Sequence, residues 1–405
     1  MRKLLATLLA LVMVFGFVAA CGGSDAPAPA PAPAPAPDAP APAPDAPAPA
    51  PAPAGGGSHG VVSWGDGDIP IALITDYGTI DDESFNQGSW EGVLAFAVAN
   101  NIPHQYVQPP EVSTAAYVDS IELAINSGAQ IIVTPGFLFQ GAIYEAQSIW
   151  PDIKFVLLDG TPQQDGGDWT PNTTAANTVS VQYAEEQSGF LAGYAAVKDG
   201  HRNLGYIGGM PVPAVIRFGH GFIEGAEFAA EELGLSSGDV SIRYHYLGTF
   251  SPSAEVQTLA ASWYADGIEI IFAAAGGAGG SVMAAADATD SGLVIGVDVD
   301  QGHHSQRVIT SALKGLRASV ASVLEDFFAG NFPGGQEKLF DAANDGVGLP
   351  ADFSRFSSFS QSDYAAIFNA LASGEIKVST VIGGFDQPDP RDFLDPTIVN
   401  ITFIP

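Results

Sequence analysis

Cysteine is all but missing: Cys21 is the single one among 405 residues, so the chain has no intramolecular disulfide, no cysteine cage for zinc and no cysteine nucleophile in its main body. Basic residues are also few. Lys and Arg number 14 against 45 Asp and Glu, the formal net charge is -31, and the cations are scattered without forming a stripe. Nucleic-acid binding, which needs clustered cations to neutralise phosphates, is thereby excluded, and the acidity reads as a solubility device. The apolar run from Leu4 to Val18 falls short of the roughly 20 residues of a spanning helix. No complete catalytic constellation is visible, so neither catalytic residues nor a cofactor are expected.

What is present begins with Arg2 and Lys3, the apolar run, and then Val18-Ala19-Ala20 directly before Cys21. That is the layout of a secretory signal peptide over residues 1–20, closed by a small-residue cleavage site. It resembles the bacterial lipobox, which implies an acylated Cys21 as the mature N-terminus and a lipid anchor on the extracytoplasmic face of the cell membrane. From Asp25 to Ala54 the chain is nearly pure Pro-Ala, passing into Gly55-Gly56-Gly57-Ser58. Such a tract cannot bury a core and favours an extended spacer of about 3 Å per residue, so residues 21–60 read as a linker.

Residues 61–405 have ordinary globular composition and enough length for two lobes. Short runs of Ile, Val and Leu recur between amphipathic stretches, the pattern of α/β folds with parallel sheets. Strands are expected at 70–75, 104–108, 130–134, 154–158 and 178–181, and a second series at 204–207, 241–247, 269–273, 293–297 and 308–310. A helix over 87–100 places Trp90, Val93, Leu94 and Ala97 on one face, with Asn86 able to cap its start. The first lobe takes residues 69–184 and part of 317–405, the second residues 200–316, and the last strands near 377–382 and 398–404 complete the hinge. Two such sheets with loops at their carboxyl ends enclose a ligand cleft.

The densest polar cluster, Asp76 to Asn86, follows the first strand and opens the first helix. Asp81, Asp82 and Glu83 are consecutive carboxylates without calcium-loop spacing; capping of the helix start accounts for Asp81 and Asp82 better than a metal does. His303 and His304 are adjacent, which makes a weak zinc site. Gly276-Gly277-Ala278-Gly279-Gly280 stands where a phosphate turn would, yet lacks the Lys-Ser/Thr pair, so close backbone approach to a ligand or hinge explains it better.

The segments Ile74-Thr75-Asp76-Tyr77-Gly78 and Asp81-Asp82-Glu83-Ser84-Phe85-Asn86 resemble the opening motif of the basic membrane protein family of solute receptors. Leu247 to Ser251, Ile271 to Gly277, Gly296 to Gln301 and Thr310 to Lys314 follow in that family's order. The resemblance implies the two-lobed, type I periplasmic-binding-protein fold and the role of an ABC-importer receptor, with purine nucleosides as ligands and a permease and ATPase complex as partner. It implies a base sandwiched by Phe85 and Phe250, its edge read by Asp76 and Asn86. Asp298 and Lys314 would address the sugar, Asp159 would be a further contact, and the receptor would act as a monomer without metal. Two departures stand out: Ser251 precedes Pro252 where many relatives carry Asp, and the stretch from Asp300 to Thr310 is short. A sugar or other small polar metabolite remains an alternative ligand. An enzyme of another class, a metal-dependent nucleoside hydrolase, would need Asp81 and Asp82 to hold an ion.

Overall fold

The computed structural model describes residues 58–59, 62–165, 173–383 and 388–405; the signal peptide, Cys21 and the Pro-Ala tract lie outside them. A small ribbon of β1 (Ser58–His59) and β2 (Val62–Ser63) comes first. The first lobe is then built from β3 (Ile71–Ile74), α1 (Phe85–Ala99), β4 (His104–Val107), α2 (Thr114–Asn126), β5 (Ile131–Pro135), α3 (Gln140–Ile149), β6 (Lys154–Leu158) and β7 (Thr178–Tyr183). Next, α4 (Glu185–Lys198) leads into β8 (Asn203–Gly208), α5 (Pro213–Glu232), β9 (Val240–Tyr246), α6 (Ala254–Ala265), β10 (Ile270–Ala274), α7 (Gly279–Asp287), β11 (Leu293–Asp298) and β12 (Val308–Lys314). The chain finishes with α8 (Leu316–Phe328), β13 (Gln336–Phe340), β14 (Val347–Gly348), α9 (Gln361–Ala372) and β15 (Val399–Ile404).

The strands form two sheets ordered β13-β7-β6-β5-β3-β4 and β14-β12-β11-β10-β8-β9-β15. Within them every pairing is parallel except that of β12 with β14. Uninterrupted apolar strands such as Ile71 to Ile74 and Ile270 to Ala273, all fully buried, are what a parallel sheet covered on both faces requires. Five consecutive strands of each sheet, β7-β6-β5-β3-β4 and β12-β11-β10-β8-β9, share one order. In the first, the chain steps from β3 outward to β4 and then back past β3 to β5; in the second, β8, β9 and β10 repeat the move. Each sheet therefore has a topological switch point, where loops at the strand carboxyl ends part to leave a crevice.

Helix α8 returns to the first lobe, where Leu316 and Val320 lie directly over Gly88 and Gly92 of α1. Strand β13 then extends the first sheet beside β7, and β14 belongs to the second. The expected hinge strand at 377–382 is not formed. That segment lies along α5, with the Ser379 amide donating to Glu224 and His220 Nδ1 3.2 Å from the Val381 carbonyl. Nor does β15 finish the hinge, because it pairs with β9 at the edge of the second sheet.

Helices α4 and α5 meet through reciprocal glycines. A Cβ on Gly189, Gly193, Gly221 or Gly225 would lie about 2 Å from the carbonyl oxygen of Phe218, Phe222, Glu186 or Phe190 respectively. No side chain fits there, so the backbones touch and the start of α4 is held firmly against α5.

Candidate ligand-binding cleft

Between the lobes lies a cavity of about 450 Å³, within the size range of small-molecule sites. Asp76 follows β3 and Gly136 follows β5, flanking the first switch point; Gly276 and Gly277 follow β10 at the second. Asp159 and Asp298 end the excursions of β6 and β11. Both adopt left-handed backbone, with φ of 57° and 65°. For a residue with a Cβ that conformation costs about 1–3 kcal/mol and tends to be kept at functional sites.

All seven residues singled out in the sequence, Asp76, Phe85, Asn86, Asp159, Phe250, Asp298 and Lys314, line this one cavity. Asn86 does not cap α1. Its side-chain amide donates to Asp76 Oδ1 at 2.9 Å and to Asp82 Oδ2 at 2.8 Å, while its oxygen accepts from the Asp76 amide at 3.3 Å. The cap is Asp82, whose carboxylate accepts from the amides of Ser84, Asn86 and Gln87, satisfying free donors of the first turn. Asp81 instead accepts from the Thr79 hydroxyl. The two carboxylates thus have separate partners, and among the described residues no group of three or more His, Cys, Asp or Glu is placed to hold a metal. Desolvation at the end of β3 pushes the Asp76 carboxyl up to about 6, against the lowering effect of its bond from Asn86.

Lys314, at the end of β12, is the site's buried cation. Its ammonium lies 2.5 Å from Asp159 Oδ2, 3.0 Å from Glu185 Oε1 and 4.0 Å from Asp298 Oδ1, and 4.7 Å from the centre of the Phe85 ring. Burial works against its charge, yet these carboxylates more than compensate and hold it protonated well above the ordinary lysine range. Burial also dominates at Asp159, pushing it up to about 7 despite Lys314, and at Asp298, which is likewise raised. Asp159 Oδ1 is buried with no hydrogen-bond partner among the described residues.

Glu185 escaped the sequence reading. As the first residue of α4 it stands where the helix dipole favours an acid, so its type and position alone give no sign of a site. In the structure it is fully buried and accepts from Arg217 Nε of α5 at 2.6 Å while facing Lys314. Burial opposes its charge, but Arg217 and Lys314 prevail and hold it down to about 2. The signal that could have exposed it is the acid pair Glu185-Glu186 at the head of a helix that is otherwise mostly small and apolar between Ser188 and Val197.

Phe250 lies against Gly209, where even a methyl group would strike its ring, and beside Gly276, whose φ of 54° suits glycine. Tyr77 approaches Phe250 edge-on at 6.3 Å. The lobes are bonded to each other across the cleft. Ser84 Oγ donates to Asp298 Oδ2 at 2.5 Å, Gln301 Nε2 donates to the Glu83 carbonyl at 2.7 Å, and the Tyr77 and Thr249 hydroxyls are 3.3 Å apart. His304 belongs to this seam, 3.2 Å from Glu83, while His303 contacts the Asp300 carbonyl.

Comparison with known proteins decides the family. The family model described as ABC transporter substrate-binding protein PnrA-like, or Bmp, matches residues 69–380. The chain belongs to this family. Bmp relatives include a nucleoside-binding ABC transporter protein of Lactococcus lactis, 30% identical over an alignment of 305 residues that covers 70% of this chain and 82% of that protein. Basic membrane protein A1 of Borrelia garinii is 28% identical, over 66% of this chain and 75% of its own. Among solved structures, an ABC transporter solute-binding protein from Aeropyrum pernix superposes with a TM-score of 0.67 at 21% identity, covering 79% of this chain and 95% of that one. One from Conexibacter woesei gives 0.59 at 22% identity, over 77% and 99%. The fold is thus that of the two-lobed solute-binding proteins, and as a Bmp protein the chain is an extracytoplasmic substrate-binding component of an ABC transporter. Among the described residues no helix is long and apolar enough to cross a membrane.

Proposed function

We propose that this chain captures purine nucleosides between its lobes and delivers them to an ABC permease and ATPase complex, acting as a monomer tethered through a lipid on Cys21. The observation that carries the reading is the single cavity in which Phe85 and Phe250 accompany Asp76, Asn86, Asp159, Asp298 and Lys314. Two flat apolar faces suit a heterocycle, and stacking on each is worth about 1–3 kcal/mol. The polar groups suit a neutral ligand rich in hydroxyl and ring N–H donors: carboxylates accept, and the Asn86 amide does both. Asp159, whose Oδ1 lacks a partner among the described residues, lines the same cavity, which supports its role as an acceptor for a ligand hydroxyl. The lipobox-like run ending at Cys21 and the Pro-Ala tract support the tether. Binding without chemistry is the role that follows.

Calorimetric titration with guanosine, inosine, adenosine and ribose tests the ligand. Saturable binding of at least one purine nucleoside, and much weaker binding of ribose, is expected; ribose binding with no response to any nucleoside would replace this reading with a sugar receptor. The tether is tested separately. Cys21→Ala should move the protein from the membrane fraction to the soluble extracytoplasmic fraction, and continued membrane association would remove the lipid-anchor assignment.

A further inference from the structure

A second cavity, of about 830 Å³, lies beside the first and shares Asp159 and Phe137 with it. Its walls come from the carboxyl ends of β6, β7 and β13, the first turns of α4 and α5, and the segment at 380–383. Of the residues that carry the nucleoside reading, only Asp159 borders this space.

Two features mark it as a site for a ligand with hydrogen-bond donors and positive charge. Gln140 is 6% exposed and lines the cavity, and its Oε1 has no hydrogen-bond partner. An acceptor buried without a donor costs about 1–3 kcal/mol, so this oxygen calls for an N–H or O–H group. The charge balance then selects among donors. Glu186 and Glu337 stand with Asp159 around the cavity, and Arg217 is its one cation among the described lining residues. Arg217 is already engaged, bonded to Glu185 at 2.6 Å, and reaches Glu186 only at 3.9 Å. Glu337 has a single bond, from the Thr161 hydroxyl at 3.3 Å. An anion would be repelled here, and a neutral polyol would leave the buried Glu186, 3.9 Å from Arg217, without a close counter-charge. Phe137, Tyr183, Pro213, Leu339 and Ile382 add apolar wall suited to a methylene stem.

We propose that this lateral cavity is a second ligand site that takes a small aliphatic ammonium compound, its N–H groups donating to Gln140 Oε1 and its charge countered by Glu186 and Glu337. The inference stands apart from the nucleoside reading and is measured by a different titration. Full-length protein is titrated calorimetrically with putrescine and, in parallel, with the uncharged diol of the same length. The diamine should bind and the diol should not. Gln140→Leu and Glu337→Gln should each weaken diamine binding about tenfold or more while guanosine titrates as in the parent protein. Glu337 is exposed, so its substitution leaves the fold intact even where Gln140→Leu does not. Absence of diamine binding, equal binding of the diol, or diamine binding unaltered by Glu337→Gln would each overturn the proposal.

Discussion

Replacing Lys314 with methionine should abolish nucleoside binding and destabilise the protein by about 3–5 kcal/mol near neutral pH. The ammonium is the shared counter-ion of Asp159, Glu185 and Asp298, and it is 6% exposed, so no solvent can take its place. Methionine keeps the volume and removes the charge. Three buried carboxylates would then face one another, and the cheapest relief is to protonate one. Asp159, already pushed up to about 7 by burial, would rise further. A carboxyl whose folded pKa lies above its unfolded value binds protons more tightly when folded, so the variant regains stability as pH falls and loses it as pH rises through that folded pKa. Urea unfolding at about pH 8 and about pH 5.5 should therefore show the larger deficit at the higher value. A deficit below about 1 kcal/mol at both would mean that Lys314 is not the keystone of this cluster.

The second large effect is expected from the rings. Phe85→Ala and Phe250→Ala should each cost about 1–3 kcal/mol of nucleoside affinity, a loss of roughly tenfold to a hundredfold, with ribose binding little changed. The two differ in their side effects. Phe85 also carries the Lys314 ammonium over its face at 4.7 Å, so its removal should lower stability as well. Phe250 sits against Gly209 and beside Gly276 on the cleft wall, where truncation opens space chiefly towards the ligand. Leucine at either position keeps apolar area without a flat face and should fall between alanine and the parent. Calorimetry together with thermal unfolding separates the two contributions. Parent-like nucleoside affinity in both alanine variants would reject the sandwich.

Much of the fold was legible because parallel strands buried on both faces leave continuous runs of branched apolar residues. Lys154–Leu158 coincides with its expected span, and the other core strands differ at their ends by a few residues. Strands with little buried area left no such trace. Gln336 to Phe340, at the edge of the first sheet, is mostly polar or exposed, and the two-residue β14 is held by neighbours rather than by its own pattern. The segment at 377–382 reads as β-branched yet lies against a helix, since a run that short cannot reveal what it pairs with. At the site, residues at strand ends were visible through the family motif, which carried Asp76, Phe85 and Lys314 to one place. What sequence could not show was pairing at long range: Glu185 meets Arg217 and Lys314, and Ser84 meets Asp298, only because two lobes fold together. Asn86 looked like a cap because its type and position fit one, but Asp82 reaches more of the free amides.

The bonds across the cleft also bear on timing. The lobes part only when the bonds of Ser84 with Asp298, Gln301 with Glu83 and Tyr77 with Thr249 break. For any cargo that passes only once they have parted, dissociation has a common ceiling, the frequency at which this seam opens, and differences among ligands appear below that ceiling. Entry is governed by the same event, so the apparent affinity scales with the fraction of molecules whose seam is open. Release on demand then requires that a docked transporter loosen these few hydrogen bonds, one of which, Ser84 with Asp298, is buried beside the Lys314 cluster.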